Sequence, residues 1–265
     1  MNNFKQTAMR AAREAAEILM TNFGRLGAND VVTKNKSDFV TWVDKTSEQE
    51  IIKIIRQDFP DHNFCAEESE HDDVGGFRWI IDPLDGTTNY IHGVPIFSVS
   101  IGLEKDGELL LGVVYDPNRD ELFYAEKDGG AFLNDEPVKV SATTDPALAL
   151  LATGYPFRAK QYIDAYQNSF KKLFLEAAGV RRAGSAALDL CYIACGRYDG
   201  FWELDLKPWD LAAAIVILQQ AGGIITDFAG GNRVLETGNT IASNAHLHSF
   251  LIKNVKEAFS GIVDE

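Results

Sequence analysis

Trp79-Ile80-Ile81-Asp82-Pro83-Leu84-Asp85-Gly86-Thr87-Thr88-Asn89 is the stretch on which the reading of this chain turns. An apolar strand pattern runs into two carboxylates three residues apart, and Gly86 follows with two hydroxyls. Open α/β sheets place their ligands at the carboxyl ends of strands, and backbone N–H groups at a following helix start can hold a phosphate. Pro83 fixes its own φ and stiffens the bend between the carboxylates, so that the Leu84 carbonyl can stay out of a ladder and face a cation. Two Asp side chains and a carbonyl are hard oxygen donors that suit Mg²⁺, an ion that wants octahedral geometry and keeps several waters. Taken by themselves, the same residues also fit an Asp-rich turn, with Asp82 as a helix cap and Gly86 serving the bend.

Further acidic elements stand far from this stretch. Cys65-Ala66-Glu67-Glu68-Ser69 follows the turn signal Phe59-Pro60-Asp61-His62-Asn63 and can add a third carboxylate. Because Glu68, Glu70, Asp72 and Asp73 continue the acidic run, it also reads as a solvated face. Trp202-Glu203-Leu204-Asp205-Leu206-Lys207-Pro208-Trp209-Asp210 leads into an apolar segment that closes with Ala221-Gly222-Gly223. Pro208 and the Gly pair bracket a helix. Asp210 falls in its first turn, where a carboxylate suits the helix dipole on structural grounds alone. Residues 211–218 are apolar all round, so the helix is expected to be buried, and an acid entering it needs a partner that a metal would supply. Asp44 ends the strand-like run 40–44 just before a helical pattern at 47–59, and by itself reads as a helix N-cap.

Together these elements resemble the inositol monophosphatase family, magnesium-dependent and lithium-sensitive phosphatases related to the fructose-1,6-bisphosphatases. The resemblance covers nearly the whole chain and rests on Asp82-Pro83-Leu84-Asp85-Gly86-Thr87-Thr88-Asn89 and on Pro208-Trp209-Asp210-Leu211-Ala212-Ala213 with its Ala221-Gly222-Gly223 stop. Ala152-Thr153-Gly154-Tyr155-Pro156-Phe157-Arg158 and Arg181-Arg182-Ala183-Gly184-Ser185-Ala186-Ala187-Leu188-Asp189 are most similar to the bacterial extragenic suppressor subgroup. The resemblance implies an α/β fold, an alternating αβαβα sandwich, and two or three Mg²⁺ ions. Glu67, Asp82 and the Leu84 carbonyl would hold the first ion, and Asp82, Asp85 and Asp210 a second. It assigns Asp44, Glu67 and Thr87 to catalysis and places Lys36 in a lid loop. It also assigns Asp85, Gly86, Thr87, Thr88, Gly184, Ser185, Ala186, Glu203 and Asp210 to the substrate, with Arg181 near the phosphate or at a dimer contact. On its own, Glu203 reads equally as a surface residue of a strand at 201–204, and Lys36 as a solvated side chain.

The expected reaction is hydrolysis of a small phosphate monoester, inositol 1-phosphate first, by in-line attack of metal-activated water without a phospho-enzyme. Thr87, oriented by Asp44, would take or relay the water proton, and the amides of 86–88 would offset phosphoryl charge. NADP and fructose 1,6-bisphosphate stay open as substrates. So does a different class of function, a module that binds the transcription machinery, in which the same subgroup is implicated. A haloacid dehalogenase-like Asp-x-Asp-Gly-Thr site fits less well, since an extra residue separates Asp82 from Asp85 and the motif lies far from the N-terminus.

The 265 residues, 46% hydrophobic, can bury a large core in one extended domain or two coupled halves. Turn signals at 135–137 and 143–146 divide the chain into 1–145, with most metal ligands, and 146–265, with Asp210 and the substrate segment. A net charge of −14 argues against broad nucleic-acid binding and requires bound cations to reverse the local field for an anionic substrate. Three cysteines without CxxC spacing are expected to be reduced. The first 23 residues carry charges on an Ala-rich helical pattern rather than a signal-peptide core, and no run reaches membrane-spanning length. A cytoplasmic enzyme, dimeric as the family implies, follows. Motifs for a Walker phosphate loop, a zinc HExxH helix and a GxSxG elbow are absent. Periodicity predicts helices at 2–23, 47–59, 164–178, 185–194, 208–220 and 245–259. It predicts a hairpin of 96–103 with 109–115, and strands at 122–125, 149–153, 180–182, 198–203, 224–227 and 240–242. Such alternation is that of a layered α/β protein.

Overall fold

The computed structural model describes residues 3–27, 30–35, 38–69 and 75–262. Helices layered on mixed sheets make this an α/β protein, as expected. The chain divides into two compact units, Met1–Pro137 with Gly184–Leu188 and Trp209–Ile217, and Val138–Ala183 with Asp189–Pro208 and Leu218–Glu265.

The first unit opens with α1 (Phe4–Asn22), the antiparallel pair β1 (Val31–Asn35) and β2 (Asp38–Thr41), and α2 (Trp42–Asp58). Then come β3 (Asn63–Ala66), β4 (Phe77–Asp85), a short α3 (Thr87–Ile91), β5 (Ser98–Lys105), β6 (Glu108–Asp116), β7 (Glu121–Glu126), β8 (Ala131–Leu133) and β9 (Glu136–Val138). These seven strands lie in sequence order in one sheet, with β3 parallel to β4 and the next pairings antiparallel. Between β5 and β6 the turn is Asp106-Gly107, both at positive φ, with Lys105 paired to Glu108. That is the two-residue loop whose twist matches the strands it joins.

Helix α2 begins at Trp42, five residues earlier than its apolar period suggests. The cause is a capping box. Thr41 Oγ1 accepts the Val43 N–H at 3.1 Å, and Asp44 Oδ2 accepts the Thr41 N–H at 3.0 Å. Residues 42–44, strand-like in composition, are thereby drawn into the first helical turn.

One face of the sheet is covered by α1 and α2. Ala8, Ala11, Ala12, Ala15 and Leu19 of α1 and Val43, Ile51 and Ile55 of α2 are fully buried against Trp79, Ile81, Val99, Ile101, Leu103 and Val113. Four alanines at helical spacing let α1 approach the sheet closely. His62 reinforces the start of β4: its ring stacks between Phe59 and Phe77, and its Nδ1 accepts the Trp79 indole N–H at 2.9 Å.

Strand alternation turns Gly102 and Gly112, which are register partners, to the opposite face. There they meet α6 (Pro208–Gln220), whose Trp209–Ile217 segment belongs to this unit. A Cβ on Gly112 would lie 2.0 Å from the Ala213 carbonyl oxygen, and one on Gly102 would lie 3.1 Å from the Ala212 Cβ. Only glycine lets the helix backbone rest on the sheet backbone here.

In the second unit β10 (Leu150–Thr153) is parallel to β11 (Gly179–Arg181) and β12 (Gly200–Glu203), while β14 (Thr240–Ser243) runs antiparallel to β12 and β13 (Ile224–Thr226). The strand order is β11-β10-β12-β14-β13. The remaining α-helices are α4 (Ile163–Glu176), α5 (Ala186–Ala194), whose first three residues belong to the first unit, α7 (Val234–Thr237) and α8 (His248–Phe259). Tyr166 and Leu173 of α4 and Leu251, Val255 and Phe259 of α8 close a core over Leu151, Trp202 and Ile241. His248 is buried beside it, with Nδ1 2.9 Å from Ser243 Oγ and Nε2 3.0 Å from Thr226 Oγ1.

Gly112→Ala is expected to cost at least ~3 kcal/mol, because a backbone carbonyl rather than a flexible side chain blocks the new methyl; urea unfolding will measure it, and a change below ~1 kcal/mol would contradict the tight seating of α6. Burial pushes His248 down to about 4 from 6.5. Its folded value is the lower one, so the neutral ring's stabilisation is full above pH 6.5 and is lost as pH falls toward 4. Over that window the wild type should lose ~2–3 kcal/mol relative to His248→Gln in parallel urea titrations; equal slopes would show that the ring is free to protonate when folded.

Candidate active site

Strand β4 does not stop at Ile81 but continues through the acidic motif to Asp85. In a regular strand, residues three apart point to opposite faces. Here Asp82 pairs with Ser100 and Asp85 with Ser98, so three steps along β4 match two along β5, with the register shift at Pro83-Leu84. Ser98 and Ser100 share a face, and the bulge therefore turns both carboxylates toward it. Asp82 Oδ1 accepts the Leu84 N–H at 2.9 Å and closes the bulge.

Helix α6 brings Asp210 to the same place. Asp82, Asp85 and Asp210 offer oxygens within 4.8 Å of one another, and all three residues are buried. Burial raises Asp82 well above the ordinary carboxylate range, and the charges of Glu67, Asp85 and Asp210 raise it further. Asp85 is raised by burial and by Asp210, against the opposing hydrogen bonds of Ser185 and Ala187. Glu67 follows the last β3 residue paired with β4, and its N–H donates to the Ile81 carbonyl at 3.2 Å. Glu48 steadies this corner, accepting the Glu68 N–H at 2.8 Å and the Ser69 hydroxyl at 2.5 Å. Glu67 is half-buried, so the acidic run is not wholly a solvated face. An all-oxygen donor set whose members repel one another in a buried place fits a hard divalent cation, which offsets that repulsion.

Gly86 follows at φ 101°, in a space where a Cβ would meet the Ile96 carbonyl at 3.0 Å and the Gly184 carbonyl at 3.3 Å. The chain turns there into α3, of which Thr87 and the exposed Thr88 are the first residues. Thr87 Oγ1 lies 3.0 Å from the Leu84 carbonyl and 3.3 Å from Asp44 Oδ1. One hydroxyl proton thus has two acceptors, and the Leu84 oxygen keeps a second lone pair. Asp44 is fully buried and splits its duties: Oδ2 accepts the Thr41 N–H at 3.0 Å and the Thr41 hydroxyl at 2.5 Å, while Oδ1 faces Thr87. Burial raises its carboxyl and the Thr41 bonds oppose the rise. The N-cap is Thr41, so the simple cap reading of Asp44 is replaced by a helix residue with one oxygen in the cap and one toward Thr87.

Residues Gly184, Ser185 and Ala186 also belong to this unit. Ser185 Oγ donates to Asp85 Oδ2 at 2.5 Å, and the Ala187 N–H donates to the same oxygen at 2.9 Å. Arg181 and Glu203 belong to the other unit. Arg181 is exposed at the end of β11 and donates to the Val180 carbonyl at 3.2 Å. Glu203, at the end of β12, is only 6% exposed, which rules out the surface reading. Its carboxylate covers Gly154, where a Cβ would fall 1.8 Å from the Glu203 Cδ. Lys36 lies outside the described residues. Sequence reasoning missed Thr41, although Thr41-x-x-Asp44 ahead of an apolar pattern is a capping-box signal. It also missed the Ala187 amide, which has no sequence signal at all.

Residues 1–260 match the profile of the inositol monophosphatase family. The Nus factor SuhB of Salmonella typhimurium is 46% identical over 257 residues, 96% of each chain. Among solved structures, the extragenic suppressor protein suhB from Bartonella henselae has a TM-score of 0.92 at 40% identity, over 96% of this chain and 98% of that one. The Thermotoga maritima IMPase has a TM-score of 0.90 at 36% identity, over 97% and 98%. Alike in sequence and in fold over nearly its whole length, the chain belongs to the inositol monophosphatase family.

Proposed function

We propose that this protein is a magnesium-dependent phosphatase of small phosphate monoesters, with inositol 1-phosphate the foremost substrate. The observation that carries this reading is the meeting of Asp82, Asp85 and Asp210 within 4.8 Å on one buried face. These three would hold one ion, and Glu67, Asp82 and the Leu84 carbonyl another. Bound there, Mg²⁺ supplies Lewis-acid activation of water and neutralises charge on the phosphoryl oxygens. The chain's own residues would move the proton: Thr87 Oγ1 lies 3.3 Å from Asp44 Oδ1 and would pass its proton there as it takes one from the attacking water. A carboxyl raised by burial is the better acceptor for that transfer. The amides at the start of α3 add fixed positive dipoles near the phosphate. The family likeness also supports a cytoplasmic homodimer inhibited by lithium. Among the described residues no helix is long and apolar enough to cross a membrane.

Asp85→Asn should lower kcat by at least ~100-fold while leaving the melting temperature near that of the wild type; unfolding of the variant would instead mark Asp85 as a structural residue. The substrate is decided by assaying inositol 1-phosphate, glycerol 2-phosphate, NADP and fructose 1,6-bisphosphate with Mg²⁺, with and without lithium. Turnover of none of them would sink the phosphatase reading.

The name Nus factor, carried by relatives 44–46% identical to this chain, supports a second reading as a partner of the transcription machinery. A pull-down of transcription complexes should then work equally well with Asp85→Asn. Its failure with both wild type and variant would remove that reading.

A further inference from the structure

Ser185 stands in the sequence as a candidate for holding a substrate hydroxyl, but its surroundings point elsewhere. It is 1% exposed. Its hydroxyl proton goes to Asp85 Oδ2 at 2.5 Å, while the Leu188 N–H and the Ser98 hydroxyl approach its oxygen, each at 3.4 Å. A hydroxyl has one proton and two lone pairs, and here each faces a protein group. The Ala187 N–H adds a second donor to the same Asp85 oxygen at 2.9 Å. Two donors converging on Oδ2 fix the plane of the carboxylate and with it the direction of Oδ1. Asp85 sits at the end of a bulge, which re-aims its side chain relative to a regular ladder.

We propose that Ser185 is a positioning residue: its hydroxyl locks the Asp85 carboxylate so that the other oxygen is presented to a divalent cation, and it does not bind the substrate's alcohol. This rests on the reading of Asp82, Asp85 and Asp210 as a metal centre. The physical gain is preorganisation. A ligand held by an outer hydrogen bond loses less freedom when the metal binds, and removing such a bond typically weakens metal binding by about 10- to 100-fold.

The test titrates Mg²⁺ alone into wild type, Ser185→Ala, Ser185→Thr and Asp85→Asn by calorimetry. Steady-state kinetics on a phosphate ester then follow, with Mg²⁺ varied and at saturation. Ser185→Ala should weaken Mg²⁺ binding about tenfold and raise the Mg²⁺ concentration for half-maximal activity, with KM for the ester at saturating Mg²⁺ unchanged. Ser185→Thr, which keeps the hydroxyl, should recover most of the loss. Wild-type Mg²⁺ affinity with a raised KM in Ser185→Ala would assign the hydroxyl to substrate and overturn the proposal. So would an unchanged affinity with only a lower Tm, which is what a packing role predicts. If Asp85→Asn abolishes Mg²⁺ binding while Ser185→Ala does not alter it, this inference alone fails. If the wild type binds no Mg²⁺, the metal-centre reading falls with it.

Discussion

The approach of α6 to the bare backbone of β5 and β6 is the constraint from which the site follows. Gly112 faces the Ala213 carbonyl and Gly102 faces Ala212, so the first turns of α6 settle directly on the sheet. Close-packed interiors do not tolerate a methyl wedged between two backbones. Asp210 is carried on that turn, and the seating of the helix therefore sets how far it stands from Asp82 and Asp85. Ala212 and Ala213, both fully buried, meet those glycines from the helix side. The same packing makes residues 209–217 part of a unit otherwise formed by the N-terminal segment and the short 184–188 stretch.

Gathering acids in a buried place is unfavourable by itself, since desolvation and mutual repulsion both oppose ionisation. The protein meets part of this cost with backbone and hydroxyl donors: Leu84 N–H on Asp82, Ser185 and Ala187 on Asp85, Thr41 on Asp44. Asp44 gives one oxygen to the helix cap and the other to Thr87. The helix cap and the contact with Thr87 thus use different atoms of one side chain. That division explains why a residue that reads as a helix N-cap in sequence also faces the Thr87 hydroxyl.

Long periodic elements were legible. The helix at Pro208–Gln220 matches its forecast at both ends, because Pro208 starts it, glycines stop it and its apolar residues leave no other reading. The hairpin around Asp106-Gly107 was readable from turn chemistry. Elements of three to five residues, such as β8, β9, α3 and α7, gave no usable period. The start of α2 was misplaced because the capping box, not hydrophobic spacing, determines where that helix begins. Among candidate site residues, Asp82, Asp85 and Asp210 were singled out by motif, and the structure brings them together. The burial of Glu203 and the attachment of Ser185 to Asp85 were not visible, since both depend on residues far along the chain.

From its order of residues alone the chain declared its class, its family resemblance and the three acids that meet in the buried cluster, because strand runs, helix stops and the Asp-Pro-Leu-Asp-Gly-Thr-Thr run are local patterns. Tertiary structure alone decided that Asp82 and Asp85 share a face, through a bulge measured against β5, and that Asp210 reaches them, through two glycines opposite a helix. Register and close packing are relations between distant segments. No local pattern contains them.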